Sequence, residues 1–236
     1  MTFKIILSLL FLFLSTIQEP KSISVKSPGY DMGSNNNMTD FKFYEELATE
    51  DNMVLPSYEV FSIAMKGYNN LKGKSGIRKN ILTIIDFSKP SSEKRLWVID
   101  IDTRKVLFND LVAHGRNSGD NIATQFSNTP NTNMSSIGFF VTGETYSGMH
   151  GLSLYIDGMD KDFNNNARSR AIVIHGADYV SSDFIKKHGR LGRSFGCPSL
   201  SLDSYKPVIN TICDGSCLFI YYPDKEFLNM SSVLNN

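Results

Sequence analysis

The chain has little of what usually builds a metal clip, a disulfide framework or a strongly charged binding face. Its 236 residues include only three cysteines and four histidines. The histidines are scattered and lack a close acidic pair, which argues against a metal site. Three cysteines cannot all pair, so at least one thiol needs another explanation. Neither sign of charge dominates, since 24 Lys and Arg balance 24 Asp and Glu. Nothing therefore directs the chain to nucleic acid or to an anionic membrane surface. Long apolar runs are missing too. The stretch Ile5 to Leu14, interrupted by Ser8, is too short to span a bilayer comfortably.

That stretch follows Lys4 and precedes Ser15-Thr16-Ile17-Gln18, the pattern of a secretory signal. Residues 1–19 are read as a signal peptide and the protein as exported, to the periplasm or cell envelope. An uncleaved anchor is the competing reading, because no Ala-x-Ala site follows. Export also colours the cysteines. Cys213 and Cys217 either pair across Asp214-Gly215-Ser216, or Cys217 is a small buried residue opening a strand; both readings stay open. Cys197 is the thiol left over in either case.

Residues 20–52, rich in Ser, Asn, Lys and Gly, read as a flexible tether. Pro56, the apolar positions Val60, Phe61, Ala64, Met65 and Tyr68, and the stop at Gly73 predict an amphipathic helix over 56–72. Strand-like runs then dominate: 81–87, 95–101, 105–108, 137–142, 152–156, 171–174 and 217–222. Short helices are expected at 182–188 and 204–213. The polar segment 115–136 reads as a long loop of the kind that lines sites. The expected fold is mainly β, a β-rich α+β domain over 53–224 with its N-terminal helix packed on it, followed by a tail at 225–236. No internal repeat is present.

Two passages carry the chemistry. Ala171-Ile172-Val173-Ile174-His175-Gly176 ends an apolar, β-branched run on a histidine, and Gly192-Arg193-Ser194-Phe195-Gly196-Cys197-Pro198 holds a cysteine in a glycine-rich turn. A thiol attacks as its thiolate, and a nearby imidazole can take its proton. A glycine before the nucleophile lets backbone N–H groups point at a developing oxyanion. The bland alternative is an inert buried thiol and a satisfied core histidine. The implied chemistry is acyl transfer through a thioester.

His-Gly, a spacer, then Ser-x-Gly-Cys resembles the L,D-transpeptidases with a YkuD-like catalytic domain, in the murein L,D-transpeptidase branch. The resemblance extends through Ser136–Tyr146, His150–Leu154 and Ala167–Gly176, and covers much of residues 56–222. It implies a catalytic β-sandwich with short inserted helices, and activity on peptidoglycan stem peptides. On that resemblance Cys197 is the nucleophile, His175 the base and then the acid, and Ser194 the residue orienting the imidazole. The Gly196 and Cys197 N–H groups would serve the oxyanion, with Gly176, Arg193, His150 and Tyr146 as candidate substrate contacts. No metal, organic cofactor or obligatory protein partner is implied. Phe195 and Ser199 depart from the family, where a histidine and a basic residue are common. Carboxylate recognition therefore falls to Arg193, Arg190 or Arg170, or to none of them. An L,D-carboxypeptidase and a non-catalytic peptidoglycan-binding envelope protein are the alternative readings.

Overall fold

The computed structural model describes residues 35–49, 53–74 and 76–235. The expected signal peptide and the first part of the expected tether lie outside the described residues. In chain order the elements are α1 (Asn35–Thr49), α2 (Tyr58–Leu71), β1 (Ile81–Asp86), β2 (Leu96–Asp100), β3 (Lys105–Asp110) and β4 (Val112–Ala113). Then come β5 (Gly138–Gly148), β6 (Gly151–Gly158), β7 (Val173–Gly176), α3 (Ser182–His188), β8 (Ser199–Leu200), α4 (Tyr205–Ile212), β9 (Cys217–Tyr221) and α5 (Lys225–Met230).

The strands form one mixed sheet in the order β3-β2-β1-β9-β5-β6-β7-β8-β4. Its two edge strands, β3 and β4, are separated in sequence only by Leu111. A chain cannot reach from one edge of a flat nine-stranded sheet to the other in one residue, because strands lie about 4.8 Å apart. The sheet therefore curls until its edges nearly meet, and the mainly-β fold is a nearly closed barrel-like one. Central β1 and β9 run parallel, and β9 is buried throughout. That is why both read as continuous apolar runs rather than as alternating ones.

α2 begins at Ser57, whose hydroxyl accepts from Val60 N–H at 3.3 Å. Its buried face comprises Val60, Phe61, Ala64, Met65, Tyr68 and Leu71. Gly67 lets the helix meet the Phe139 ring, where a Cβ would come within 2.1 Å of the ring carbons. The expectation of a tether through residue 52 needs correction at 35–49, which form α1. Phe43 and Leu47, one helical turn apart, bury there, and the Phe43 ring meets Phe61 edge-on at 5.5 Å. The expected tail is likewise built in. Phe227 of α5 is fully buried, and buried Asp160 accepts from Ser231 Oγ, from Val233 N–H at 3.2 Å and from Phe139 N–H at 2.8 Å. No helix among the described residues is long and apolar enough to cross a membrane.

Candidate active site

β7 is the strand on which the site is built. It pairs antiparallel with β6 and parallel with β8, so that Tyr146, Ser153, His175 and Ser199 are successive partners across four strands. Tyr155 pairs with Val173 in the next row. Cys197 lies two residues before Ser199, and its Sγ accepts from Val173 N–H at 3.4 Å. Alternation along a strand puts Val173 and His175 on one face, with Ile174 turned into the core. Cys197 thus lies in the turn that leads into β8, two residues before the strand partner of His175. At rest the thiol donates to Ala171 O at 3.7 Å and is not hydrogen-bonded to the imidazole.

The imidazole has a neighbour at every position. Its Nδ1 is 2.9 Å from Gly176 O, and its Nε2 is 3.1 Å from Ser199 Oγ. His150, in the two-residue turn between β5 and β6, stacks on it at 4.3 Å and 19°. His175 is only 4% exposed. Burial pushes its pKa down, the Gly176 carbonyl opposes that, and His150 adds to the lowering. Burial also pushes the Cys197 thiol up, against the Val173 N–H and the Arg170 charge. Both shifts favour the uncharged forms, which suits base-assisted attack rather than a standing ion pair.

Ser194 shapes the cysteine turn and does not reach His175. Its Oγ donates to Cys197 O at 2.6 Å and accepts from Gly196 N–H at 3.0 Å. This corrects the expected role of Ser194: the hydroxyl on the imidazole belongs to Ser199. It also removes one expected oxyanion donor, because the Gly196 N–H is already engaged. The Cys197 N–H makes no such bond among the described residues. Gly196 has φ +131, and a Cβ on it would come within 2.8 Å of Ile172 Cδ1 and 2.9 Å of Met134 O. Only glycine fits that turn without movement.

The long polar loop wraps the turn, as its length suggested. Gly115 bridges Ser194, and Ser135 Oγ donates to Gly196 O at 2.9 Å. Arg193 Nη1 donates to Gly119 O at 2.9 Å and pairs with Asp120 at 3.2 Å, while Arg190 pairs with the same carboxylate at 2.7 Å. Both arginines clamp the loop and are not free cations at the sulfur. Arg170 serves the other side, donating to Met134 O at 2.8 Å and to Ser127 O and Ser136 Oγ. Its Nε is buried without a partner. Of the other expected contacts, Gly176 lies under the Tyr205 ring, and Tyr146 stacks on Tyr155 at 4.5 Å. Phe195 is 69% exposed, with the Arg116 guanidinium 4.9 Å over its ring. A groove of about 410 Å³ lined by Arg78, Glu144, Asp157, Arg168 and Asp214 includes no residue of the cysteine turn. All three cysteines are free, so the possible Cys213–Cys217 disulfide is not formed. No metal-binding cluster occurs among the described residues.

Beneath the loop lies a buried Arg95–His114 pair. Arg95 Nη2 donates to His114 Nδ1 at 2.9 Å, and His114 O accepts from Ser194 N–H at 3.0 Å. Burial, then the Arg95 charge, pushes His114 down to about 4. The folded state thus takes up this proton less readily than the unfolded chain. Its contribution is intact above about pH 6.5 and is lost as pH falls from there toward 4, by about 3 kcal/mol in all. Urea titrations at pH 7 and 4.5 are expected to show a smaller acid loss in His114→Gln than in the wild type. Equal losses would mean that His114 is not the group responsible.

These features define a class: a curled mainly-β domain whose glycine turn sets a cysteine beside a strand-end imidazole. Residues 53–221 match the L,D-transpeptidase catalytic domain model, and the chain belongs to that family. No curated protein matches the chain. Its relatives among solved structures include an L,D-transpeptidase from Mycobacterium smegmatis, at 12% identity and TM-score 0.39, covering 61% of this chain and 59% of that one. L,D-transpeptidase 3 from Mycobacterium tuberculosis in complex with a faropenem-derived adduct matches at 11% identity and TM-score 0.40, covering 61% and 60%. An L,D-transpeptidase from Xylanimonas cellulosilytica matches at 15% identity and TM-score 0.34, covering 76% and 77%. The chain spans less than two thirds of the first two.

Proposed function

We propose that this protein is an exported L,D-transpeptidase that acts on peptidoglycan stem peptides through a thioester on Cys197. The observation that carries the reading is the placement of Cys197 in a turn that only glycine permits, two residues before the strand partner of His175, with its sulfur on the Val173 N–H of the histidine's own strand. Family membership supplies the substrate class. The basic start and short apolar stretch of the sequence support export.

In this reading His175 takes the Cys197 proton, and the sulfur attacks the carbonyl carbon of the third stem residue. The Cys197 N–H is the donor left free for the oxyanion. The bond to the terminal D-residue then breaks, and its amine leaves with the proton from the imidazolium. An acceptor amine attacks the thioester, loses its proton to His175 and releases the thiol. Ser194 holds the turn, and His150 closes the imidazole from solvent. The carboxylate of the stem peptide is not assigned to Arg190 or Arg193, since both are held by Asp120.

The test is incubation of the protein with a disaccharide-tetrapeptide, with and without an acceptor amine, followed by mass spectrometry. Cross-linked dimers are expected. Tripeptide alone would replace transfer by hydrolysis of the same bond. No product and no acyl adduct on Cys197 would overturn the catalytic reading.

A further inference from the structure

The hydrogen bonds around His175 have only one consistent set of directions. A carbonyl oxygen only accepts, so the contact with Gly176 O puts a proton on Nδ1. In the neutral ring Nε2 is then the acceptor, and the hydroxyl of fully buried Ser199 must donate to it. That uses the only Ser199 proton. The 3.0 Å contact between Tyr179 Oη and Ser199 Oγ is therefore made by the tyrosine proton. The result is a directed chain, Tyr179 to Ser199 to His175, ending on the nitrogen that must act as base.

We propose that Ser199, backed by Tyr179, is a positioning residue for proton transfer: it holds His175 with Nε2 as the acceptor and reverses its own hydroxyl as that nitrogen is protonated. The inference rests on the reading of Cys197 and His175 as nucleophile and base. When the transfer occurs, the Ser199 hydroxyl turns off Nε2 and frees its single lone pair, the S–H bond breaks, its electron pair stays on sulfur, and an N–H bond forms at Nε2. The new N–H then donates to Ser199 Oγ. The Ser199 proton turns to Tyr179 Oη, and the tyrosine proton turns toward solvent, which half-buried Tyr179 can reach. A hydrogen bond from a charged donor is stronger than one to a neutral ring, so the pair favours the thiolate–imidazolium state over the resting one.

The groups facing His175 leave this task to the two hydroxyls. His150 stacks on its face from the β5–β6 turn, and Cys197 lies on the adjacent turn. Ser153 is its partner on β6, with its own Oγ turned to Gly151 O. From α4, Tyr205 packs on Gly176 with Lys206 above its ring. None of these accepts from Nε2.

The test measures Cys197 alkylation by iodoacetamide against pH, which needs no peptidoglycan, alongside turnover of the disaccharide-tetrapeptide. In Ser199→Ala the alkylation inflection is expected to rise by about half to one pH unit, and kcat to fall roughly tenfold or more with KM little changed. Tyr179→Phe keeps the ring against Gly192 and is expected to move both readouts in the same direction by less. Ser199→Thr, which retains the hydroxyl, is expected to keep the wild-type inflection. Wild-type alkylation profiles in both Ser199→Ala and Tyr179→Phe would overturn the proposal. Shifted profiles without any wild-type turnover would leave the positioning role standing and overturn the substrate reading instead.

Discussion

Replacing Cys197 with alanine is expected to abolish acyl transfer while leaving the fold intact. Among the described residues the sulfur makes two weak hydrogen bonds, with Val173 N–H at 3.4 Å and Ala171 O at 3.7 Å. Losing them costs on the order of 1 kcal/mol, because sulfur is a poor hydrogen-bonding partner. The turn itself is held by Ser194 Oγ, Ser135 Oγ and the Gly115 bridge, none of which involves the side chain of residue 197. Removing the proposed nucleophile of a covalent mechanism is a different matter, and a fall of about 10⁴-fold or more is expected. Turnover and thermal unfolding measured on the same preparation separate the two effects. Residual turnover at the wild-type rate would mean that another group is the nucleophile.

The second large effect is expected at a residue far less conspicuous in the sequence. Arg95 is fully buried, yet it donates to Val112 O from both Nε, at 3.1 Å, and Nη2, at 2.8 Å. It also donates to Lys89 O at 2.7 Å and to His114 Nδ1 at 2.9 Å, and its guanidinium lies 4.8 Å from the Phe87 ring centroid. Burial pushes its pKa down to about 9, which still leaves it charged at neutral pH. Arg95→Ala would leave two buried carbonyls and an imidazole nitrogen without a donor, and a cavity where the side chain stood. Together these are expected to cost about 3–5 kcal/mol and lower Tm by roughly 10 °C. Because His114 O holds Ser194 N–H, turnover should fall with stability even at temperatures where the variant stays folded. A wild-type Tm would show that the barrel tolerates the loss and that the loop is anchored elsewhere.

Much of this architecture was legible along the chain, because its signals are local. The Val60–Tyr68 spacing marks α2, and residues 182–188 form a helix with Ser181 as cap and Gly189 as its left-handed stop. The β-branched runs locate the strands of the sheet, and the Gly196-Cys197 turn shows its need for glycine in its own sequence. α1 was harder to see. Its apolar residues follow an Asn-rich stretch and bury only because α2 offers Phe61 and Tyr58 as partners. The tail was hidden for a similar reason: Ser231 and Val233 matter only because Asp160 is buried opposite them.

The site divides in the same way. His175 and Cys197 could be picked out because imidazole, thiol and glycine carry their chemistry in their identity. Assigning the imidazole's partner to Ser194 followed the family resemblance, which sets a Ser or Thr at that place before the cysteine. The partner is Ser199, because parallel pairing of β7 with β8 sets Ser199 opposite His175 while Ser194 turns back on its own loop. Arg193 likewise reads as an available cation until Asp120, 73 positions earlier in the chain, is seen to hold it. The sequence by itself determined the family, the mainly-β elements, the candidate thiol and the glycine turn, since backbone propensity, apolar period and side-chain reactivity are properties of short segments. Only the tertiary structure decided which hydroxyl meets the imidazole, which arginines are consumed by the loop, and that Arg95 lies in the core. Those outcomes depend on strand register and on the closure of the sheet around Leu111, where residues distant in the chain compete for the same partner.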